Sequence, residues 1–428
     1  MVKRSRWIFG VWVVAAFGWV GIAPTTFAAE PIHHISSETC KTCHTEIFKQ
    51  WKGSMHANST AFNDPIHGTF YRNVVGDPGK EGELHKASQK YPICLGCHAP
   101  NAARDKKTKL DTMPAYNEGV NCIACHTLKK YKGIQAPNGK LQLGISSYEL
   151  SDTVQGPGRY SNRKLASLTA SSDIFGGGGD SEAKPNPHLG EPVTMDGKEI
   201  PAIPMESNPK QLKTSDACMG CHDQRNNPHG VPLCQTGNEY SMSSSQVNCL
   251  ACHMPVSGGI ADHSMGGGHD LAILQRSVVF DVSTETKGDV IVASVLMKNQ
   301  QPHSLPTGAP FRNIQMVLTA YDSEGNAVWR NAEGHPAKSD PQAYLVYELA
   351  DDEGGPAGPP VATRLGKDTR LKPHEERTLV YEIPAKGVVL VRGELYYSLL
   401  WTSLVEKFTH LPEDLTAAKL IATSEVSL

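Results

Sequence analysis

Ten of the eleven cysteines fall into five copies of one pattern. They are Cys40-Lys-Thr-Cys43-His44, Cys94-Leu-Gly-Cys97-His98, Cys122-Ile-Ala-Cys125-His126, Cys218-Met-Gly-Cys221-His222 and Cys249-Leu-Ala-Cys252-His253. Two thiols at this spacing can form thioether bonds to the two vinyl groups of a haem, and the adjoining imidazole then sits under the iron as its proximal ligand. Other chemistries use less of the pattern. Thioredoxin-like C-x-x-C motifs do not come in fives with a His after each. Zinc sites pair C-x-x-C units but give the following His no role. Disulfides are possible outside the cytoplasm, yet a two-residue loop repeated five times is a poor fit to them. The spacing therefore predicts five covalently attached haems c. The ten motif cysteines attach them, and His44, His98, His126, His222 and His253 bind the irons. Cys234 is left over and reads as a buried thiol.

The elements that must position these groups divide in two. Residues 30–270 hold all five motifs, with punctuation such as Gly76-Asp77-Pro78-Gly79 and Gly156-Pro157-Gly158. So little chain around five porphyrins cannot build an ordinary side-chain core. Short helices and loops wrapped around the haems are expected instead. Gly176 to Gly179, followed by Pro185-Asn186-Pro187, marks a long loop between the third and fourth motifs. From about residue 274 the composition turns β-branched and aromatic. Val278–Phe280, Val290–Leu296, Ile314–Tyr321, Ala327–Trp329, Tyr344–Tyr347, Thr378–Tyr381 and Gly393–Trp401 read as strands of an all-β sandwich. Asp414–Ala422 reads as a short terminal helix. No cysteine lies in this part, so it carries no covalent haem.

The start of the chain reads as a secretory signal over residues 1–28. Lys3, Arg4 and Arg6 precede an uncharged apolar stretch, and Thr26-Phe27-Ala28 resembles a cleavage site. The expected organisation is a signal peptide at 1–28, a pentahaem domain at 29–273 and a β-sandwich at 274–428. Export to the periplasm or cell surface agrees with the compartment in which bacteria attach haem c. Without Lys3, Arg4 and Arg6, 38 basic residues face 44 acidic ones, and haem propionates add more negative charge. Nucleic-acid binding, which wants a basic face, is excluded. Redox partner proteins with a basic patch are expected instead.

Several phrases resemble the multihaem cytochrome c-554 family, which is related to the hydroxylamine oxidoreductases and pentahaem nitrite reductases. Ser37 to His56, with Trp51, Ser54 and His56-Ala57 after the first motif, is similar to the family opening. Gly119-Val120-Asn121-Cys122 resembles its third-haem entry. Cys218 to His222, then Cys234, Thr236, Glu239-Tyr240 and the last motif with Met254-Pro255, looks like its late-haem pair. Asp262-His263, Gly266 to Gly268 and His269 resemble a tail that supplies a distal His. Asn299, His303, Pro306-Thr307-Gly308 and Arg312 resemble the opening of a domain that follows haem domains in other exported multihaem cytochromes. The fifth motif and the extra domain depart from the tetrahaem members.

Each iron needs a sixth ligand, and nine further histidines lie among the motifs: His33, His34, His56, His67, His85, His188, His229, His263 and His269. The resemblance nominates His56 and His263 as distal ligands. Availability adds His188, His229 and His269, with His67 and His85 in reserve. A methionine such as Met55, Met219, Met254 or Met265 could instead serve one iron. His303, at the Pro-Thr-Gly turn, reads as an exposed turn residue with the option of facing a haem. Histidine on both axial sides lowers the potential relative to Met/His ligation. The expected function is an electron carrier or relay with no catalytic residue. The alternatives are an oxidoreductase acting on a small nitrogen or sulfur compound through one open iron position, and subunits stacked into a haem filament with His33 or His34 reaching a neighbour.

Overall fold

The computed structural model describes residues 30–158 and 186–428. The expected signal peptide, and most of the loop around Gly176–Gly179, lie outside the described residues. Among the described residues no helix is long and apolar enough to cross a membrane.

The motif-bearing part is built from short helices. Each motif begins or forms about one helical turn, as in Cys122–His126, Asp216–His222 and Cys249–His253. A helical turn brings residues i, i+3 and i+4 to one face, so both thiols and the imidazole converge on the same side. Local capping fixes two of these turns. The Asn121 side chain accepts from the Ala124 N–H at 2.8 Å, and Asn248 accepts from the Ala251 N–H at 3.0 Å. These are N-caps of the kind that satisfy a helix's first free donors. Buried apolar side chains in this part form small separate groups. One gathers Leu95, Ala99 and Tyr116, another Ile32, Ile123 and Ile203, and a third Phe48, Trp51 and Ala57.

The C-terminal part consists of antiparallel strands β1 (Val278–Lys287), β2 (Val290–Asn299), β3 (Asn313–Tyr321), β4 (Ala327–Arg330), β5 (Tyr344–Ala350), β6 (Arg364–Asp368), β7 (Glu376–Pro384), β8 (Leu390–Ser398) and β9 (Lys419–Ser427). One sheet runs β1-β2-β7; the other runs β6-β5-β3-β8-β9, with β4 paired to β3. The period-2 pattern explains the layering. Ile291, Ala293, Val295 and Met297 of β2 are buried, and so are Leu379, Tyr381 and Ile383 of β7 and Ile314, Met316, Leu318 and Ala320 of β3. Burying each such aliphatic side chain contributes about 1.5–3 kcal/mol. The strands read from sequence are present. The terminal helix is not: only Glu413–Thr416 is helical, and Lys419–Ser427 forms edge strand β9 against β8. Its alternation buries Ile421 against the sandwich, and this outweighs local helix propensity. Trp401 falls after β8 and starts a short helix, Thr402–Lys407.

The expected boundary at 273/274 falls inside a helix, Leu271–Gln275, whose Leu274 belongs to the sandwich core. Residues Ile32–Leu428 pack as one compact unit. The helix Pro65–Val74 joins the two parts. Asp64 caps it and Pro65 occupies its first turn. Ile66 enters the sandwich core, while Phe70 stacks on Phe311 at 5.2 Å and meets Phe408 edge-on at 5.5 Å. His67 and Tyr71 lie one position further round the helix, their rings 5.9 Å apart. A second joint is ionic. Arg370, just after β6, meets Glu239 of the helix Thr236–Met242 at 2.6 Å, both side chains more than nine-tenths buried.

Candidate haem-binding sites

Each motif histidine has one further imidazole beside it. Ring centres are 6.2 Å apart for His44 and His188, 5.9 Å for His222 and His56, 6.5 Å for His126 and His263, and 6.4 Å for His253 and His303. With metal–nitrogen bonds of about 2.0 Å, two imidazoles on opposite sides of one metal ion have ring centres roughly 6.3 Å apart. Four pairs match that span. The fifth pair, His98 and His67, is stacked at 3.9 Å and must separate to admit an iron. The Nε2 of His67 is buried without a hydrogen-bond partner, as a nitrogen awaiting a metal would be. No two of the eleven cysteines are joined as a disulfide.

The surrounding backbone turns these rings. His98 Nδ1 and His67 Nδ1 both lie on the Ser59 carbonyl, at 3.0 and 2.8 Å. His126 Nδ1 meets Gln155 O at 2.9 Å, His253 Nδ1 meets Gly266 O at 2.7 Å and His188 Nδ1 meets Ile203 O at 2.9 Å. His263 Nδ1 meets Ala261 O at 2.7 Å and His303 Nδ1 meets Ser304 O at 3.1 Å. A proton held on Nδ1 by a carbonyl leaves the Nε2 lone pair free, which fixes both tautomer and ring orientation for metal binding. Burial also favours the neutral ring. It holds His56 and His67 down to about 4, and His98 well below the usual histidine range.

His56 shows how the sequence builds one such position. Trp51 Nε1 donates to Val120 O at 2.9 Å, Ser54 Oγ donates to Trp51 O at 2.6 Å, and the Ala57 N–H returns to Ser54 Oγ at 3.2 Å. The Val120 N–H then closes on His56 O at 2.8 Å. Gly119 has φ +61°, and a side chain there would run into His56 O. The Trp51, Ser54, His56-Ala57 phrase and the Gly119-Val120 phrase are thus two halves of one clamp.

A family model described as "Cytochrome c554 and c-prime" matches residues 39–127, which contain the first three motifs. The crystal structure of a penta-heme cytochrome c552 from Thermochromatium tepidum shares 63% identity with this chain, covering 93% of it and 100% of its own length, at a TM-score of 0.87. The chain belongs to the multihaem c-type cytochromes. A DUF1425 family member from Shewanella sp. pv-4 is 17% identical over 28% of this chain and 73% of its own, at a TM-score of 0.15. No curated protein matches the chain.

Within this cytochrome the motifs lie side by side in pairs. The Cys40 and Cys122 thiols are adjacent, which brings the first and third sites together. Cys97 lies beside Cys221, which brings the second and fourth together, and Cys218 lies beside Cys249, which does the same for the fourth and fifth. Cys125 of the third site lies close enough to Cys218 and Cys221 to act on both electrostatically. The fourth site therefore touches three others. Arg225 is inserted here, its guanidinium 3.6 Å from Cys97 Sγ.

Two of the five distal nominations lie elsewhere. His229 is exposed in a turn, where its N–H donates to the Asn227 side chain at 3.0 Å. His269 sits beside Arg312 and Lys419 against the sandwich; burial, with those cations, lowers it to about 4. His85, in reserve, accepts the Ser88 N–H at 3.3 Å in a surface turn. Their places beside motif histidines are taken by His67 and His303. His303 is therefore no exposed turn residue: its loop folds back on the last motif. Asn299, four residues earlier, donates to His303 O at 2.7 Å and to Lys372 O at 2.8 Å, which shapes that loop. Met265 packs with Phe48, Trp51 and Ala57. Cys234 pairs with Arg225 across a two-strand ladder, and burial raises its thiol.

Proposed function

We infer that this cytochrome is an exported electron relay that holds five haems c, each between two histidines. Haem supplies the one-electron chemistry when bound; the chain sets attachment, ligation and distance. The cysteine pairs 40/43, 94/97, 122/125, 218/221 and 249/252 hold the porphyrins. The pairs His44/His188, His98/His67, His126/His263, His222/His56 and His253/His303 would hold the irons. One observation carries the reading: among the described residues every motif imidazole is accompanied by a second one, four of the five pairs at the spacing that two rings on one metal would take. A relay wants this, because six-coordinate low-spin iron changes little in geometry between redox states. Two imidazoles per iron also favour low potentials. Adjacency of the motifs orders the sites as first, third and fourth, with the second and fifth both reached from the fourth.

The acidic balance supports a basic redox partner, in the periplasm or at the cell surface, whose exchange rate falls as salt rises. The test of the relay reading is electron paramagnetic resonance of the fully oxidised, haem-loaded protein, with mass spectrometry as the haem count. Five haems per chain and low-spin signals alone are expected. A high-spin signal worth one iron that shifts with nitrite or hydroxylamine would overturn the relay in favour of an enzyme.

A further inference from the structure

Four polar side chains outside the haem sites converge: His33, His34, Asp105 and Tyr116. His33 Nε2 lies 2.9 Å from Asp105 Oδ1, and His34 Nε2 lies 2.7 Å from Asp105 Oδ2. Tyr116 donates its hydroxyl to the same carboxylate at 2.5 Å, with its oxygen 3.5 Å from His34 Nε2. One ligand atom from each of His33, His34 and Asp105 lies within 4.8 Å of the others. The two histidines, Asp105 and Tyr116 come from three elements, so chain proximity does not explain why the histidines meet the other two. His33 and His34 end the 3-10 turn Ile32–His34, Asp105 closes the helix Pro100–Arg104, and Tyr116 lies on the helix Pro114–Asn117.

We propose that His33, His34 and Asp105 bind a divalent zinc-like transition-metal ion, with solvent completing a four-coordinate shell. Two imidazoles and one carboxylate suit borderline first-row ions, and three protein ligands leave one position open. Metal bonds of about 2.0–2.2 Å spread neighbouring donor atoms to roughly 3.3 Å, so the carboxylate need withdraw only by a few tenths of an ångström. Tyr116 donates to Asp105 Oδ2 and so orients the carboxylate, as outer-shell donors do at metal sites. The ligands are seated on packed structure. Ile32 is buried with Ile123 and Ile203, and the Tyr116 ring is 2% exposed beside Leu95 and Ala99. Asp105, by contrast, keeps 27% of its side chain exposed, which gives an ion a way in. The neighbouring cation is turned aside: Arg104 donates to Thr127 Oγ1 at 3.1 Å and faces Asp152 at 4.0 Å. The ion would staple the N-terminal turn to the segment between the second and third motifs. The proposal is independent of the haem ligand assignments.

The experiment uses the haem-loaded cytochrome, stripped with a chelator and titrated with zinc chloride by calorimetry. Zinc-soaked crystals are measured just above and just below the zinc absorption edge. One equivalent of zinc is expected, with an edge-dependent peak between His33 Nε2, His34 Nε2 and Asp105. Asp105→Asn should weaken it by about tenfold or more. It should leave the haem spectrum unchanged, which shows that the variant is folded. His33→Ala serves as the second variant. Zinc found only on haem propionates or other histidines, or binding unchanged in a folded Asp105→Asn protein, overturns the proposal.

Discussion

Replacing His303 with alanine is expected to turn one of five irons high-spin while the other four stay low-spin. The cause is geometric. His303 is the ring beside His253, at 6.4 Å and inclined by 24°, and its own loop has no second imidazole to replace it. Its Nδ1 is held on Ser304 O, so the nitrogen left for metal is Nε2. An open position on one iron should also let carbon monoxide bind to the reduced protein with a stoichiometry of one per chain. Added imidazole should restore the low-spin spectrum, which would not follow if the variant had merely loosened the fold. His229→Ala and His269→Ala are the paired controls, and both should leave all five irons low-spin. A fully low-spin His303→Ala protein would remove the β-sandwich from the redox machinery.

That His303 lies beside the last motif was only the minority option in the sequence, which favoured an exposed turn, and the reason is physical. Motif attachment is local: a helical turn decides it, and residues i, i+3 and i+4 are visible in five short strings. Distal ligands arrive from anywhere. His188 follows its partner His44 by 144 residues, and His303 comes from beyond a strand pair that reads as pure sandwich. His56 was legible because its clamp, Trp51 and Ser54 against Gly119-Val120, leaves marks in the sequence as a phrase. His229 and His269 sit near the late motifs along the chain, but nearness in sequence says little where turns rather than long helices carry the backbone. The sandwich strands were legible because alternation over β2, β3 and β7 is long and one-sided. β9 was misread because Leu415 to Ala422 mixes helix formers with that alternation, and only the free edge of β8 decides between them. His67 hides differently: it lies on a helix whose neighbouring residues, Ile66 and Phe70, face the sandwich. The same domain thus steadies two of the proposed distal histidines, one directly and one through the helix that carries it.

The largest loss of stability is expected from Arg370→Met. Arg370 and Glu239 have side-chain exposures of 8% and 9%, and their contact is 2.6 Å. The guanidinium also donates to both oxygens of Asp368, at 2.8 and 3.0 Å, and stands 4.5 Å over the Tyr347 ring. Taking away the cation strands Glu239, a buried carboxylate, with only the Ser304 N–H at 3.1 Å and the Thr307 hydroxyl at 2.5 Å. Breaking one side of such a pair costs about 3–5 kcal/mol. The damage should not stay local. Glu239 belongs to the haem-bearing part, whereas Ser304 and Thr307 flank the His303 turn. A carboxylate that moves or takes up a proton releases the backbone N–H next to His303. Arg370→Met should therefore lower the thermal unfolding midpoint by several degrees and give a partial high-spin fraction at one iron. Removing both charges, as Arg370→Met with Glu239→Leu, should recover most of the stability, because a well-packed apolar pair replaces a buried ion pair at little cost. It should not recover the spin state fully, since the Ser304 N–H and Thr307 hydroxyl still lack their acceptor. If the double variant melts as low as the single one, the loss came from packing around Tyr347 and not from the stranded charge. If the single variant melts like the parent, the joint between the two parts is carried by Phe70, Phe311 and Phe408 instead.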